Sequence, residues 1–406
     1  MLPRYLMMLP PMRIVGSVLR ILVAVACCAG IWQSVVLARA DNSFKQDTDQ
    51  SVRAAIRLVP DESNYYMRLS ELDPADAREL LTESLRLNRY NAQADIELGL
   101  QYEAEGDFGQ AEKQLLEAYD VDHTYMPRWT LANYYFRRNN KPEFWTCARN
   151  AAAMPNEDIG ALFVLCWRAS PDAEQISKAI LNERPEMIRQ YIGFLLGKGQ
   201  AVAAADVAPH LFRTGDSGSD RPMLFSIVNS LVSSNDATAA STLWGRLIEQ
   251  NWVPADSTVP YNSSFQRDPL GVSFDWWLPE SQDIHSWPGP SGLETEFRGN
   301  QQDDSTIAEQ AVVLKPGNYA MSYGYRTTDI PETSGIRWQI LEPNTQTVLE
   351  ESPYLSSDDL LYSGFGFSVP ATAPLVNVRL VYSRALGTSR ISGMLDVSST
   401  RIQALP

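Results

Sequence analysis

The chain has 406 residues, 44% hydrophobic and 20% charged, which exceeds one average core and points to two folded domains plus a targeting segment. With 34 Lys and Arg against 49 Asp and Glu, its formal net charge of −15 repels nucleic acid and anionic lipid and sets a polyphosphate partner aside. Of four cysteines, Cys27 and Cys28 fall in an apolar N-terminal run, so Cys147 and Cys166 alone serve the folded part; neither a disulfide framework nor a zinc site follows from that, and free buried thiols are expected.

Residues 1–40 read as a signal peptide or a single transmembrane anchor. Arg4, Arg13 and Arg20 precede the uncharged run Ile21–Ala38, and the next positive charge is Arg39, the pattern of an export segment with its N-terminus in the cytoplasm. The run is as long as a short membrane span, while Ala38-Arg39-Ala40 fits a small-x-small cleavage site before Asp41. Both readings stand, with the retained anchor favoured. A lipobox at Ala24-Val25-Ala26-Cys27 is disfavoured because apolar residues follow Cys27. Each variant places the remainder on the outer side of the membrane, in the cell envelope.

Residues 41–252 read as helical repeats. Leu98, Gly99 and Tyr102 fall on one helix and Ala111, Leu115 and Ala118 on the next, with Gly106-Asp107 as the turn. Gly99 and Ala111 lack bulk, so the pair can approach closely while the larger residues fill the seam. A step back of 34 residues, a helical-repeat period, carries Ala111, Leu115 and Ala118 onto Ala77, Leu81 and Ser84. Forward, Trp129, Leu131, Ala132 and Tyr135, then Phe144, Ala148 and Ala151, repeat the alternation about one position out of register.

This stretch, about Asp61 to Pro155, resembles the tetratricopeptide-repeat family, departing from it at Asp95, where a large aromatic is usual, and at His123, where a proline is usual. The resemblance implies an α-solenoid with an extended face for a protein partner. Ile159–Ala169, Pro171–Leu181, Pro185–Lys198, Ala201–Phe212, Pro222–Ser233 and Asp236–Asn251 read as continuing helices, giving a superhelix of ten or so. Within Arg128–Arg138, four aromatic rings and three arginines share one helix. Tight packing with a basic edge is one reading; the other is a partner-docking surface of Arg128, Trp129, Tyr134, Arg137 and Arg138, residue types that anchor interfaces.

Pro254, Pro260 and Pro269 break any helix, so 253–270 reads as a linker. Beyond it, 271–406 alternates with period two. Strands are expected at Val272–Trp277, Leu293–Arg298, Ala308–Leu314, Asn318–Thr327, Gly335–Leu341, Thr345–Glu350, Gly364–Val369, Leu375–Tyr382 and Ile391–Gln403, which implies an antiparallel β-sandwich. Lys315-Pro316-Gly317-Asn318 supplies a turn before the strand Tyr319, Met321, Tyr323, Tyr325. The order of apolar strand, Pro-Gly-x-Tyr, aromatic strand, Gly-x-x-Trp strand and late apolar strand resembles jelly-roll, galactose-binding-like carbohydrate modules.

What that resemblance implies is glycan binding through exposed rings, with Trp276, Trp277, Trp287, Tyr323, Tyr325, Trp338 and Tyr354 as candidates. Core packing competes for each ring. Trp276 and Trp277 are adjacent and must point to opposite faces.

No nucleophile with its base, no carboxylate pair and no close set of metal ligands is legible. His123, His210 and His285 lie in separate segments, the last in a Pro/Gly/Ser-rich loop. Asp303-Asp304 and Asp358-Asp359 read as solvated charges rather than Ca²⁺ ligands. The expected class is a multidomain α + β chain, not an enzyme, with no cofactor and no metal. It would act as an envelope scaffold that holds a protein through the solenoid while the sandwich contacts a glycan, such as a surface polysaccharide, or a second protein; a glycan-binding module on a solenoid spacer is the rival, and a glycoside-processing enzyme the remote third. Membrane contact is confined to the N-terminal segment.

Overall fold

The structure, a computed structural model, describes residues 12–154, 158–181 and 184–406; Arg4 and Pro155 lie outside them. The chain divides into two compact units, Met1–Ser170 and Pro171–Pro406.

The first unit is helical: α1 (Met12–Phe44), α2 (Asp49–Leu58), α3 (Ser63–Leu72), α4 (Ala77–Leu87), α5 (Ala92–Glu105), α6 (Phe108–Val121), α7 (Tyr125–Arg137), α8 (Lys141–Ala152) and α9 (Gly160–Ala169). α3 packs on α4, α5 on α6 and α7 on α8, the stacked helix pairs of tetratricopeptide-like repeats. Their starts are set by side chains that accept orphan amide protons: Asn91 takes the Ala94 N–H and Asp107 the Gln110 N–H. Gly106 closes α5 at φ +87, where a Cβ would be strained.

The repeat positions are the seam. Ala77, Leu81 and Ser84 on α4, and Ala111, Leu115 and Ala118 on α6, are all buried. A Cβ on Gly99 would sit 2.8 Å from Leu115 Cγ and 3.3 Å from the Ala111 carbonyl oxygen, so glycine there lets α5 and α6 close. The loosely repeating third pair buries Leu131, Ala132, Phe144, Ala148 and Ala151 in the same way.

α1 carries an apolar, exposed stretch and then enters the fold without a break. Leu19–Phe44 is long and apolar enough to cross a membrane, yet Ala40 near its end is fully buried against Val52, Ala55, Tyr65 and Leu69. Phe44 packs on the Tyr65 ring at 4.8 Å, and Tyr65 donates to Asp41 at 3.0 Å. The last turns of α1 and all of α2 therefore form the first helix pair.

Cys147 and Cys166 are both free and buried. Burial pushes their thiols up to about 11 and about 12, which holds them protonated and inert at neutral pH.

The second unit joins α10 (Ala173–Ile180), α11 (Pro185–Gly197), α12 (Ala201–Val207), α13 (Pro209–Thr214), α14 (Ser217–Ser233) and α15 (Ala237–Glu249) to an antiparallel β-sandwich. The two compact units meet at Ser170, and the helices before the expected boundary at 252 pack on the segment that follows it. The reason is side-chain chemistry: Trp244 of α15 packs edge-on against Tyr261 and Phe274 at 5.4 and 5.8 Å, and Asn229 of α14 binds Ser273.

The expected linker 253–270 is likewise packed. Phe265 is fully buried and stacks on Trp276 at 4.7 Å, while the Asn262 side chain donates to the Arg267 carbonyl. The expected helix Ala201–Phe212 is broken into α12 and α13 by Pro209, which suits a first-turn position and nothing later.

The strands are β1 (Ile284–Gly289), β2 (Gly292–Arg298), β3 (Asp304–Val313), β4 (Gly317–Thr328), β5 (Ile336–Leu341), β6 (Val348–Glu351), β7 (Leu361–Val369), β8 (Leu375–Ser383) and β9 (Ser392–Ala404). They form two sheets, ordered β1-β2-β9-β4-β7 and β3-β8-β5-β6. β1 lies where a loop was expected: Pro288 hides it from a strand search, but an edge strand tolerates proline. Val272–Trp277 is not a strand; it is a turn held by Asp275, from which Trp277 bridges to Glu309 of β3 and the Ser273 carbonyl accepts from the Ala311 amide of β3.

Candidate functional site

Asp275 builds the site. Its carboxylate is buried and accepts the amide protons of Leu270 and Trp276, at 2.9 and 2.8 Å. Burial raises its pKa, and those backbone donors oppose the rise. The turn so fixed drives Trp276 into the core, where its Nε1 donates to the Asn262 carbonyl at 3.2 Å and its ring lies 5.9 Å from Trp338.

Trp277 must then face the other way, and it does. Its N–H and C=O exchange hydrogen bonds with Glu309 of β3 at 2.8 and 3.0 Å, and its side chain stands 51% exposed. It walls a cleft of about 490 Å³ together with Asn229, Ser233, Glu309, Asn344 and Asn377.

The polar groups come from four segments. From α14, Asn229 Oδ1 accepts from the Ser273 amide and hydroxyl, 2.9 and 2.8 Å away, which latches the helix to the turn. From β3, Glu309 is held by Arg379 at 2.8 and 3.1 Å and by the Asn377 amide. Asn377, from β8, is left with its Oδ1 unpartnered. Asn344 stands in the turn between β5 and β6. An indole face beside neutral amides matches a sugar ring, whose C–H face is apolar and whose edge hydroxyls both donate and accept. The sole carboxylate lining the cleft is Glu309, and it is already neutralised by Arg379.

The other expected glycan-binding rings separate into core and surface. Trp276, Trp338, Tyr323 and Tyr325 are buried in the sandwich core and present no ring to solvent, which corrects them as candidates. The physical reason is strand alternation: Tyr319, Met321, Tyr323 and Tyr325 share the inward face. Trp287 is half-buried on β1, donating to Glu294 at 3.1 Å with His285 beside it at 4.9 Å. Tyr354 is exposed beneath the Arg337 guanidinium at 5.6 Å.

The basic aromatic stretch of α7 is largely consumed by the fold. Arg128 is buried, donates to the Thr124 carbonyl and lies over the Tyr119 ring. Tyr134 is buried and donates to the Phe108 carbonyl at 2.9 Å. Arg137 forks onto Glu103, and Arg138 covers the Phe108 ring at 3.5 Å. Trp129 is half-buried and stacks with Tyr125 at 6.1 Å. Burial takes Arg128 and Tyr134 out of the expected docking surface, while Trp129 stays half-buried and Arg137 and Arg138 stay exposed. Asp303, considered as a cation ligand, is taken up by Arg384 and Arg390 at 2.8 and 3.1 Å, which lowers its pKa.

Of the residues lining this cleft, sequence reasoning named Trp277 as a candidate and did not name Asn229, Glu309, Asn344 or Asn377. Neutral amides carry no motif, and only the pairing of β3 with β8 and the Asn229–Ser273 latch bring them together.

No protein-family model matches the chain, and no curated protein matches it. Among solved structures it is similar to the carbohydrate-binding module CBM4, at 12% identity and a TM-score of 0.30, over 36% of this chain and 99% of that one. It is similar to TmCBM61, solved in complex with beta-1,4-galactotriose, at 10% identity and a TM-score of 0.26, over 37% and 100%. It is also similar to YrrB, a TPR protein with an unusual peptide-binding site, at 13% identity and a TM-score of 0.22, over 50% and 93%. Likenesses this distant concern the fold alone.

Proposed function

We propose that this chain is a membrane-anchored, non-catalytic glycan-binding protein of the cell envelope, with the Trp277 cleft as its sugar site and the helical repeats as its support. The carrying observation is one half-exposed indole set against neutral amides within a cleft. The spacer reading of the repeats is preferred to the docking reading because two of the five expected anchors, Arg128 and Tyr134, are buried in internal contacts.

The ligand chemistry follows from charge. Asn229, Asn344 and Asn377 are neutral, Glu309 is paired, and a net charge of −15 repels acidic polymers. A neutral hexose or pentose polymer fits. A hydrolytic role needs two facing carboxyl groups free to exchange protons, and one paired carboxylate does not supply them.

Affinity electrophoresis of the full chain through gels holding neutral polysaccharides (glucan, galactan, xylan) or anionic ones (alginate, polygalacturonate) tests this. Retardation is expected in a neutral gel, with Trp277→Ala weakening it about 10- to 100-fold, as for an anchor ring. Retention on no neutral polymer, or retention unchanged in Trp277→Ala, defeats the proposal.

Retention of α1 belongs to the same reading. A cut between Ala40 and Asp41 would end the chain inside a continuous helix and strip the buried Ala40 from the first pair, leaving new helix-end amides without partners. The mature protein is expected in the membrane fraction, resistant to carbonate extraction, with peptides spanning Ala40–Asp41 seen by mass spectrometry. A mature N-terminus at Asp41 would show the cleavage reading to be right.

A further inference from the structure

We propose that the free edge of β7 is a self-association surface, on which a second copy of this chain lays its own β7 antiparallel and joins the two five-stranded sheets. A sheet edge exposes a row of unpaired N–H and C=O groups, and natural sandwiches blunt their edges with short length, proline, charge, bulges or a covering segment.

The edges other than β7 carry such devices. β1 has 6 residues and includes Pro288. β6 has 4 residues, ends in Glu350-Glu351 and pairs with a register shift. β3 bears Asp304 and Glu309, and Trp277 pairs with it at Glu309.

β7 carries none of them. Its 9 residues, Leu361–Val369, contain no charge and no proline. They pair with β4 in unbroken register; β4 is the strand to which they hydrogen-bond, and β6 of the other sheet lies close to β7 without pairing with it. Leu360 and Leu361 are exposed at its start, and Tyr362 is 70% exposed. The Tyr362 ring lies back over β4, since a Cβ on Gly324 would meet its Cε1 at 2.9 Å; the ring therefore does not screen the edge.

A second copy fits this edge for two reasons. Chains of net charge −15 repel at long range, but no charge lies between Leu360 and Val369, so two such edges meet without opposing like charges. Antiparallel pairing centred on Phe365 also sets Gly364 opposite Gly366 of the second copy, Leu361 opposite Val369, and Tyr362 opposite Ser368. The two glycines then meet small against small, Leu361 meets Val369 and Phe365 meets its own copy on the other face, where Ser363 lies opposite Phe367. The contact is isologous and closes at two copies, by the strand addition that edge-binding partners use.

The test is sedimentation of the full chain in detergent micelles, with Leu361→Lys at the edge and Ser322→Lys, an exposed position one strand inward, as the control. The wild type and Ser322→Lys are expected to sediment as two chains, and Leu361→Lys as one at the same loading with unchanged circular dichroism. Hydrogen exchange reads the same surface without a variant: β7 amides should slow as wild-type concentration rises, while β1 amides do not. A wild type that stays a single chain overturns the proposal, as does a dimer that survives Leu361→Lys or β7 exchange that ignores concentration.

Discussion

Asp220→Ala is expected to destabilise the second unit by about 2–4 kcal/mol, because the carboxylate is buried while its Arg189 partner stays 32% exposed and is rehydrated in part. Asp220 is 1% exposed on α14. Its carboxylate takes both the Nε and an Nη proton of Arg189 on α11, and it also accepts the Asp216 amide at 2.8 Å. The local backbone is shaped around it, since a Cβ on Gly215 would sit 2.2 Å from Asp220 Oδ2. Truncation leaves a guanidinium and an amide short of their acceptor and opens a void between two helices, so the loss exceeds that of an exposed pair, which is about 0–1 kcal/mol. Thermal unfolding of the full chain should show the transition of this unit lowered by roughly 4–16 °C. Asp220→Asn, which keeps the volume and one acceptor oxygen, should fall between the wild type and the alanine variant. A shift in Asp220→Ala no larger than that of Lys178→Ala, whose partner Glu174 is exposed, would sink the argument.

What the sequence shows well is periodic, and what it hides is pairwise. The 34-residue step located Ala77, Leu81 and Ser84 because a repeat constrains each position by its own size, one residue at a time. Alternation put Tyr319, Met321, Tyr323 and Tyr325 on one face without saying that this face was the inner one, and adjacency alone separated Trp276 from Trp277. Partnerships are different. Arg128 and Tyr134 looked like anchors on composition, but their use is decided by the Thr124 and Phe108 carbonyls, which carry no side-chain signature. The Asn229–Ser273 latch spans 44 residues and Asn377–Glu309 spans 68, so no local window contains either. The same holds for the packed segment 253–270: three prolines advertise the absence of helix, but not that Phe265 enters the core.

Asp95→Asn is expected to stabilise the first unit at pH 8 and to leave it unchanged near pH 3. Asp95 stands on α5 where the repeat family places a large aromatic, and it is 2% exposed. Burial, with the Glu117 carboxylate adding to it, pushes its pKa up to about 7, against an ordinary value of 3.8. The folded chain therefore keeps a proton between these limits that the unfolded chain gives up. Stability contributed by this site is whole below about pH 4, declines as pH rises, and is fully lost above about pH 7. A difference of about 3 units corresponds to at most about 4 kcal/mol, or roughly 5–15 °C for a unit of this size. Asparagine has no charge to desolvate, so its advantage should grow with pH across that window and flatten beyond it. Glu117→Gln should recover a smaller share, because desolvation is the larger cause. Unfolding curves of the wild type and Asp95→Asn that stay parallel from pH 3 to pH 8 would mean that this carboxyl ionises as freely in the folded repeat as in water, and the seam around α5 would then have to be wetter than its burial implies.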